Sequence, residues 1–190
     1  MRAARLTMLL VLITAAPFSM AKDKNEYTAT IGVFKAAGES GEFFKTAYGY
    51  AVFPTIGKGG IGIGGAHGSG KVYVGGKAVG TTSMTQLTVG LQLGGQAFSQ
   101  IIFFEDKRAF DEFTNGNFEF GAEASAVAIT AGANAGTSTT GSSAGASGGK
   151  NDATTVGSKY YKGMAIFTVA KGGLMYQATV GGQKFSYKPL

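Results

Sequence analysis

The sequence contains no cysteine, no tryptophan and one histidine, His67, in 190 residues. Without cysteine, the chain cannot form disulfides, thiolate metal sites or a thiol nucleophile, and one histidine cannot supply a two-histidine metal site. Proline is also scarce, with three residues, and no strict glycine period exists, which excludes collagen. Hydrophobic residues make up 44% and charged residues 15%, which argues against global disorder. We therefore expect one compact domain.

Glycine, in contrast, is abundant: 32 of 190 residues, about 17% against roughly 7% in ordinary proteins. Glycine inside strands allows bends and close backbone approach. Between Gly57 and Gly95 the glycines alternate with isoleucine and valine, which is typical of strands. The clearest predicted strand runs from Thr85 to Leu93, where apolar and polar residues alternate. One face holds Leu87, Val89, Leu91 and Leu93, and the other holds Gln86, Thr88, Gly90 and Gln92.

Helical spacing occurs in two regions. Tyr27, Ile31 and Phe34 lie on one face of a helix that Gly38 would end, and Ser40 would cap a second. Asp106 would cap a third helix that stops at Asn115-Gly116. Further strands are predicted at Tyr50–Phe53 (ended by Pro54), Phe98–Phe104, Phe118–Thr130, Gly163–Ala170, Leu174–Val180 and Lys184–Tyr187. The fold class is β-rich α+β: a single domain with a mostly antiparallel, barrel- or sandwich-like sheet of about eight strands and three short helices.

Residues 1–21 have the organisation of a secretory signal peptide. Arg2 and Arg5 precede an apolar run from Leu6 to Ala16, and Ser19-Met20-Ala21 resembles a cleavage site. The run is shorter than the about 18 apolar residues that a spanning helix needs. We expect cleavage after Ala21, export to the periplasm or cell envelope, and a mature domain of residues 22–190. Loss of the two arginines would lower the net charge of +6 to about +4, which suits anionic surfaces.

Residues 131–158 form a tract of glycine, alanine, serine and threonine with no large apolar residue before Val156. Such a segment buries too little surface to offset its ordering entropy. The tract is predicted to be a flexible loop within one domain, because only about 30 residues follow it.

No motif in the sequence supports an enzyme. Gly65–Lys71 matches the start of a phosphate-binding loop, but Val72 stands where Ser or Thr should bind magnesium, and a strand follows where a helix is required. His67 has no serine or carboxylate at a telling spacing and is interpreted as a turn residue. We expect no catalytic residues, no metal, no cofactor and no nucleotide binding.

Basic residues next to glycine-rich turns or aromatic groups suit anionic membrane interfaces. The candidate lipid-binding residues are Lys58, Lys71, Lys77, Lys107 and Arg108. Nucleic acid is not an expected partner, because no basic run exists and export would separate the protein from it. A protein partner is not identified by the sequence.

Several segments, in order along most of the predicted mature chain, resemble the SYLF lipid-binding domain family. They are Ala47–Gly60 (AYGYAVFPTIGKGG), Ile61–Gly65 (IGIGG), Gly90–Gln96 (GLQLGGQ), Phe110 with Phe118–Gly121, and Tyr160–Met164 (YYKGM). The resemblance is to the exported bacterial branch. It implies a single β-rich domain that binds phospholipid without enzymatic activity.

The resemblance does not extend to every ligand of the family. Eukaryotic members bind phosphoinositides and in some cases actin, and engage membranes through an amphipathic N-terminal segment; here a signal sequence and polar residues 22–25 occupy that position. We therefore expect anionic phospholipid or a membrane surface in general as the partner. The alternative is a small outer-membrane β-barrel with a structural role, which export and alternating strands also fit. Against it, the chain ends at Leu190 without a terminal aromatic and lacks aromatic girdles.

Overall fold

A computed structural model describes residues 16–90, 95–122, 124, 126–129, 160–171 and 180–190. Its helices are α1 (Ala16–Ala36), α2 (Gly38–Thr46) and α3 (Lys107–Phe113). Its strands are β1 (Gly49–Val74), β2 (Lys77–Gly90), β3 (Gln96–Phe104), β4 (Phe118–Glu119), β5 (Val127–Ile129), β6 (Met164–Lys171) and β7 (Gln183–Pro189).

These strands form one sheet of seven strands in the order β4-β7-β2-β1-β3-β6-β5. All neighbours are antiparallel except β5 and β6, which are parallel. The sheet curls into a half-barrel, and the three helices pack against it or close its end. The predicted β-rich α+β class with a mostly antiparallel sheet is confirmed.

Strand β1 doubles back on itself, so its two halves face different neighbours. Residues 49–58 pair with β3, whereas residues 62–74 pair with β2. The halves approach closely: a Cβ at Gly49 would lie 2.5 Å from the carbonyl oxygen of Tyr73, and one at Gly70 would lie 2.7 Å from that of Val52. The reversal occurs near Gly60, whose φ of +150° is accessible to glycine. Glycine is therefore required here by geometry.

The curled sheet has an apolar core on each of its faces. The inner core fills the concave side and includes Phe53, Ile102 and Phe185 together with Phe113 of α3. The outer core lies between α1, α2 and the convex side of β1, β3 and β6, and includes Phe34 of α1. β3 contributes to both cores and is buried from Phe98 to Phe104, as its large apolar residues predict.

Sequence predictions for Pro54, Ser40 and residues 118–130 are wrong. Pro54 does not end a strand; it is buried at an irregularity where the β1–β3 register shifts between Phe53 and Ile56, a position that tolerates the missing N–H group. Ser40 does not cap α2, because its Oγ donates 2.6 Å to the carbonyl oxygen of Phe34 and so ties α2 to α1. In the described part of 118–130, the structure assigns only the short β4 and β5.

The Asp106 cap is confirmed, since its carboxylate accepts a hydrogen bond of 2.8 Å from the Ala109 N–H.

The predicted loop 131–158 and strand Leu174–Val180 lie outside the described residues, apart from Val180, which is buried. Helix α1 begins at Ala16 and continues through the expected cleavage position after Ala21. Within the described residues, no helix combines the length and apolarity needed to cross a bilayer.

Candidate functional site

At the end of β2, a polar side chain faces the core and an apolar side chain faces solvent. Gln86 points into the half-barrel and is 3% exposed, whereas its neighbour Leu87 points outward and is 80% exposed. Gln86 is accommodated inside because its Nε2 donates 2.9 Å to the carbonyl oxygen of Gly181. Exposure alternates from Thr85 to Leu87, and residues 91–93 of the predicted strand lie outside the described residues. An exposed leucine beside a buried glutamine is the opposite of the usual arrangement.

A second exposed aliphatic side chain lies beside Leu87. Leu87 pairs with Gly65 and Val89 pairs with Ile63, so Ile63 and Leu87 are diagonal neighbours on the same face of the sheet. Ile63 is 73% exposed. We call Ile63 and Leu87 the apolar rim. It lies where β1 reverses, at the opposite end of the sheet from α3.

Lys58 lies five residues before Ile63, on the first half of β1 opposite Gln96. Its side chain is half-buried, and desolvation lowers the pKa of its ammonium group. Substituents at the flanking Gly57 and Gly59 would meet no atom within 4 Å, so the backbone here is open. Lys58 lies on the same strand face as the inner-core residue Ile56, whereas Ile63 and Leu87 face outward, so the lysine and the apolar rim lie at one end of the sheet but on opposite faces. At this end of the sheet, a partly desolvated lysine can meet an anionic group while the aliphatic side chains enter an apolar phase.

Lys71 lies on the outer face of the second half of β1, nearer the opposite end of the strand. Its Nζ is 4.5 Å from the centre of the Tyr27 ring of α1. The Tyr27 hydroxyl also donates to the carbonyl oxygen of Ser69, at 3.5 Å. Lys71 therefore helps to hold α1 on the sheet and remains partly exposed.

The other three predicted basic residues lie at the α3 end. Lys77 is exposed and follows the tight turn Gly75-Gly76. Lys107 forms an ion pair of 2.6 Å with Asp111, and that hydrogen bond raises the pKa of the lysine. Arg108 lies 3.5 Å from Glu112. The five candidates thus do not form one cluster, and of the five only Lys58 lies at the same end of the sheet as the apolar rim.

The segment that resembles a phosphate-binding loop is extended strand. Residues 65–71 pair continuously with β2, so their amides do not converge on an anion at a helix start. His67 lies in this strand, not in a turn as predicted, and its Nδ1 is 3.3 Å from Thr85 Oγ1. Among the described residues, no group of three metal-ligating side chains occurs.

An open cleft of about 660 Å³ lies beside β4 and the turn that leads into β7. The described residues that line it are mostly glycine and alanine. The one charged side chain among them is Glu119, which pairs with Lys184 at 3.5 Å. The cleft offers no described cation to a phosphate group.

The sequence did not identify the apolar rim as a site. Alternation placed Leu87 on the apolar face of its strand but could not show which face meets the core. Gln86 lies on the polar face of the predicted strand, so its residue type favoured exposure and gave no signal that this face meets the core.

Residues 85–188 match the family described as "Ysc84: Las17-binding protein actin regulator". A curated relative, "Beta cell expansion factor A" of Aeromonas veronii, is 32% identical over 160 residues, which cover 83% of this chain and 52% of the relative. The chain therefore spans about half the length of that relative. The family match covers more than half of the chain and agrees with the motifs in the sequence, so the protein belongs to the SYLF (Ysc84) domain family.

Proposed function

We propose that the protein is an exported, non-enzymatic phospholipid-binding protein of the bacterial cell envelope, and that the apolar rim makes its contact with the membrane. Membership of the SYLF family supports a lipid-binding type of domain. The observation that carries the proposal is the reversal at the end of β2. Leu87 is 80% exposed next to a buried glutamine, with Ile63 at 73% exposure beside it.

The energetics fit reversible binding at a bilayer surface. Burial of two aliphatic side chains contributes about 1.5–3 kcal/mol each, and one lysine near an anionic surface contributes about 1 kcal/mol. The total, about 4–7 kcal/mol, lies in the range of a single lipid anchor, which gives marginal and reversible attachment. The rim would insert, and Lys58 would meet phosphate at the boundary.

Export is supported by the basic and apolar organisation of residues 1–21. An exported protein would not meet actin or nucleic acid, so neither partner is included in the proposal. The proposal that the protein is not an enzyme rests on His67, whose one described side-chain partner is the hydroxyl of Thr85. This pair lacks the carboxylate that orients a catalytic histidine.

The test is flotation of the purified protein with vesicles of neutral phosphatidylcholine, with and without anionic phosphatidylglycerol. The Ile63→Ser/Leu87→Ser variant should lose at least about tenfold in vesicle affinity, which corresponds to 1.4 kcal/mol. The matched control is Leu190→Ser, because Leu190 is equally exposed, at 78%, but lies at the C-terminus. Equal losses in both variants, or no flotation of the wild type at low salt, would exclude the rim as the contact.

A further inference from the structure

Three strands place nine side chains in a regular grid on the outer surface. The register aligns Lys71, Thr81 and Lys188 in one row across β1, β2 and β7. The next row is Ser69, Ser83 and Ser186, and the third is His67, Thr85 and Lys184. We call these nine residues the outer polar face. Alternate residues of the same strands, such as Met84 and Phe185, point into the inner core.

The outer polar face is accessible. All three residues of β7 and three of the other six are exposed, and the remaining three are partly exposed. Helices α1 and α2 lie over the outer surface of β1, β3 and β6 instead, and α1 contacts the grid where Tyr27 meets Lys71 and Ser69. A sheet face with this much free surface is open to a partner.

The charge of the face has one sign. Three of the nine residues are lysines and none is acidic. Glu119 of the neighbouring β4 lies at the border and pairs with Lys184 at 3.5 Å. Among the described residues, neither Lys71 nor Lys188 takes part in an ion pair, so the first row carries the net positive charge of the face. Charge complementarity therefore requires an anionic partner.

Hydroxyl groups occupy the space between the cations. Thr81 stands between Lys71 and Lys188, whose α-carbons are two strand spacings, about 10 Å, apart. The serine row follows, and Ser83 Oγ and Ser186 Oγ are 2.7 Å apart, so they share one hydrogen bond. Each hydroxyl retains further capacity to donate or accept. The first and third rows are about 13 Å apart.

We propose that the outer polar face binds an acidic polysaccharide, in which charged groups are separated by hydroxyl-bearing sugar rings. Lys71 and Lys188 bind two anionic groups of the chain, and the serine row hydrogen-bonds with the sugar hydroxyls between them. A bilayer fits the first two rows less well, because the exposed aliphatic side chains of this outer face, Ile63 and Leu87, lie beyond the third row, at the far end from Lys71 and Lys188. Single-stranded nucleic acid fits less well, since no aromatic side chain lies in the grid for bases to stack on.

The experiment measures binding of a heparin decasaccharide to the purified protein by calorimetry, with a neutral maltodextrin of similar length as the uncharged probe. The wild type should bind heparin and not maltodextrin. The Lys71→Gln/Lys188→Gln variant should bind heparin at least about tenfold more weakly. The Ser83→Ala/Ser186→Ala variant, which keeps every charge, should lose about threefold or more.

The matched control is Lys45→Gln/Lys107→Gln, which removes the same charge from α2 and α3, away from the grid. It should bind heparin within about twofold of the wild type. If both lysine variants lose heparin affinity equally, binding depends on net charge alone, and the proposal is overturned. An unchanged heparin affinity of the Ser83→Ala/Ser186→Ala variant would also overturn it. Vesicle flotation of the Lys71→Gln/Lys188→Gln variant should match the wild type; a parallel loss of flotation would assign the face to lipid. Tighter binding of an oligothymidylate than of heparin would assign it to nucleic acid.

Discussion

Gln100 and Gln183 exchange two side-chain hydrogen bonds inside the half-barrel. Gln100 Nε2 donates 2.9 Å to Gln183 Oε1, and Gln183 Nε2 donates 3.2 Å to Gln100 Oε1. Both side chains are fully buried. The pair joins β3 to β7, two strands that are not neighbours in the sheet. It therefore links the two sides of the curled sheet across the concave face.

This link predicts a strong coupling between the two positions. Gln183→Leu leaves the buried Gln100 amide without its partner and should lower the free energy of unfolding by about 1–3 kcal/mol. Gln100→Leu/Gln183→Leu removes both amides and should cost less than the sum of the single changes. Urea denaturation of the wild type, the two single variants and the double variant measures the coupling. Additive costs would show that the two amides do not depend on each other.

Much of the fold follows from local sequence patterns. The apolar run Phe98–Phe104 predicts a central strand, and Asp106 predicts the start of α3, because both signals depend on neighbouring residues. The buried strand β3 and the Asp106 cap confirm them. The predictions for Pro54 and Ser40 were wrong because the roles of these residues depend on distant parts of the chain. Pro54 lies at a register shift against β3, and Ser40 bonds to a carbonyl oxygen of α1.

Phe34 is predicted to be the main anchor of helix α1 on the sheet. Phe34 is fully buried in the outer core, whereas the adjacent Val33 is 46% exposed. Phe34→Ala should therefore lower the free energy of unfolding by about 3–5 kcal/mol, and Val33→Ala should change it by less than about 0.5 kcal/mol. Chemical denaturation of both variants is the measurement. Similar small effects would mean that α1 is not held by the outer core.

Lys58 is predicted to reduce stability while it supports lipid binding. Desolvation lowers the pKa of its ammonium group, so the folded protein disfavours the charged form that exists at pH 7. This penalty is present below the lowered pKa and disappears as the pH rises to the unfolded value. Lys58→Met should raise the melting temperature at pH 7 and weaken flotation with anionic vesicles.

The control for Lys58 is Lys45→Met. Lys45 is an exposed lysine whose ion pair with Glu42, at 2.7 Å, contributes little to stability. This variant should leave both the melting temperature and flotation close to those of the wild type. A lower melting temperature for Lys58→Met would contradict the desolvation argument.

Alkaline pH should destabilise the protein through a tyrosine pair. The rings of Tyr50 and Tyr73 stack with centres 5.2 Å apart, and burial raises the pKa of both hydroxyls; the charge of Tyr73 raises that of Tyr50 further. The folded chain holds these protons to higher pH than the unfolded chain, so stability falls as the pH rises above 10, the unfolded value. Tyr73→Phe should make this fall shallower in urea titrations, and Tyr161→Phe should not.

The candidate site was less predictable than the fold. Composition and glycine-rich turns selected five basic residues, but the ion pairs of Lys107 and Arg108 and the Tyr27 contact of Lys71 arise only from the folded chain. The apolar rim depends on which face of β2 meets the core. Periodicity fixes the two faces of a strand but not their direction.

The most direct test of lipid contact at the rim uses the absence of cysteine from the chain. Single Ile63→Cys, Leu87→Cys and Leu190→Cys variants are labelled with an environment-sensitive fluorophore and mixed with anionic vesicles that contain a lipid-chain quencher. Labels at positions 63 and 87 should shift their emission to the blue and be quenched, whereas the label at position 190 should do neither. Flotation of the protein with no change at 63 and 87, or with the same change at 190, would contradict insertion of the apolar rim.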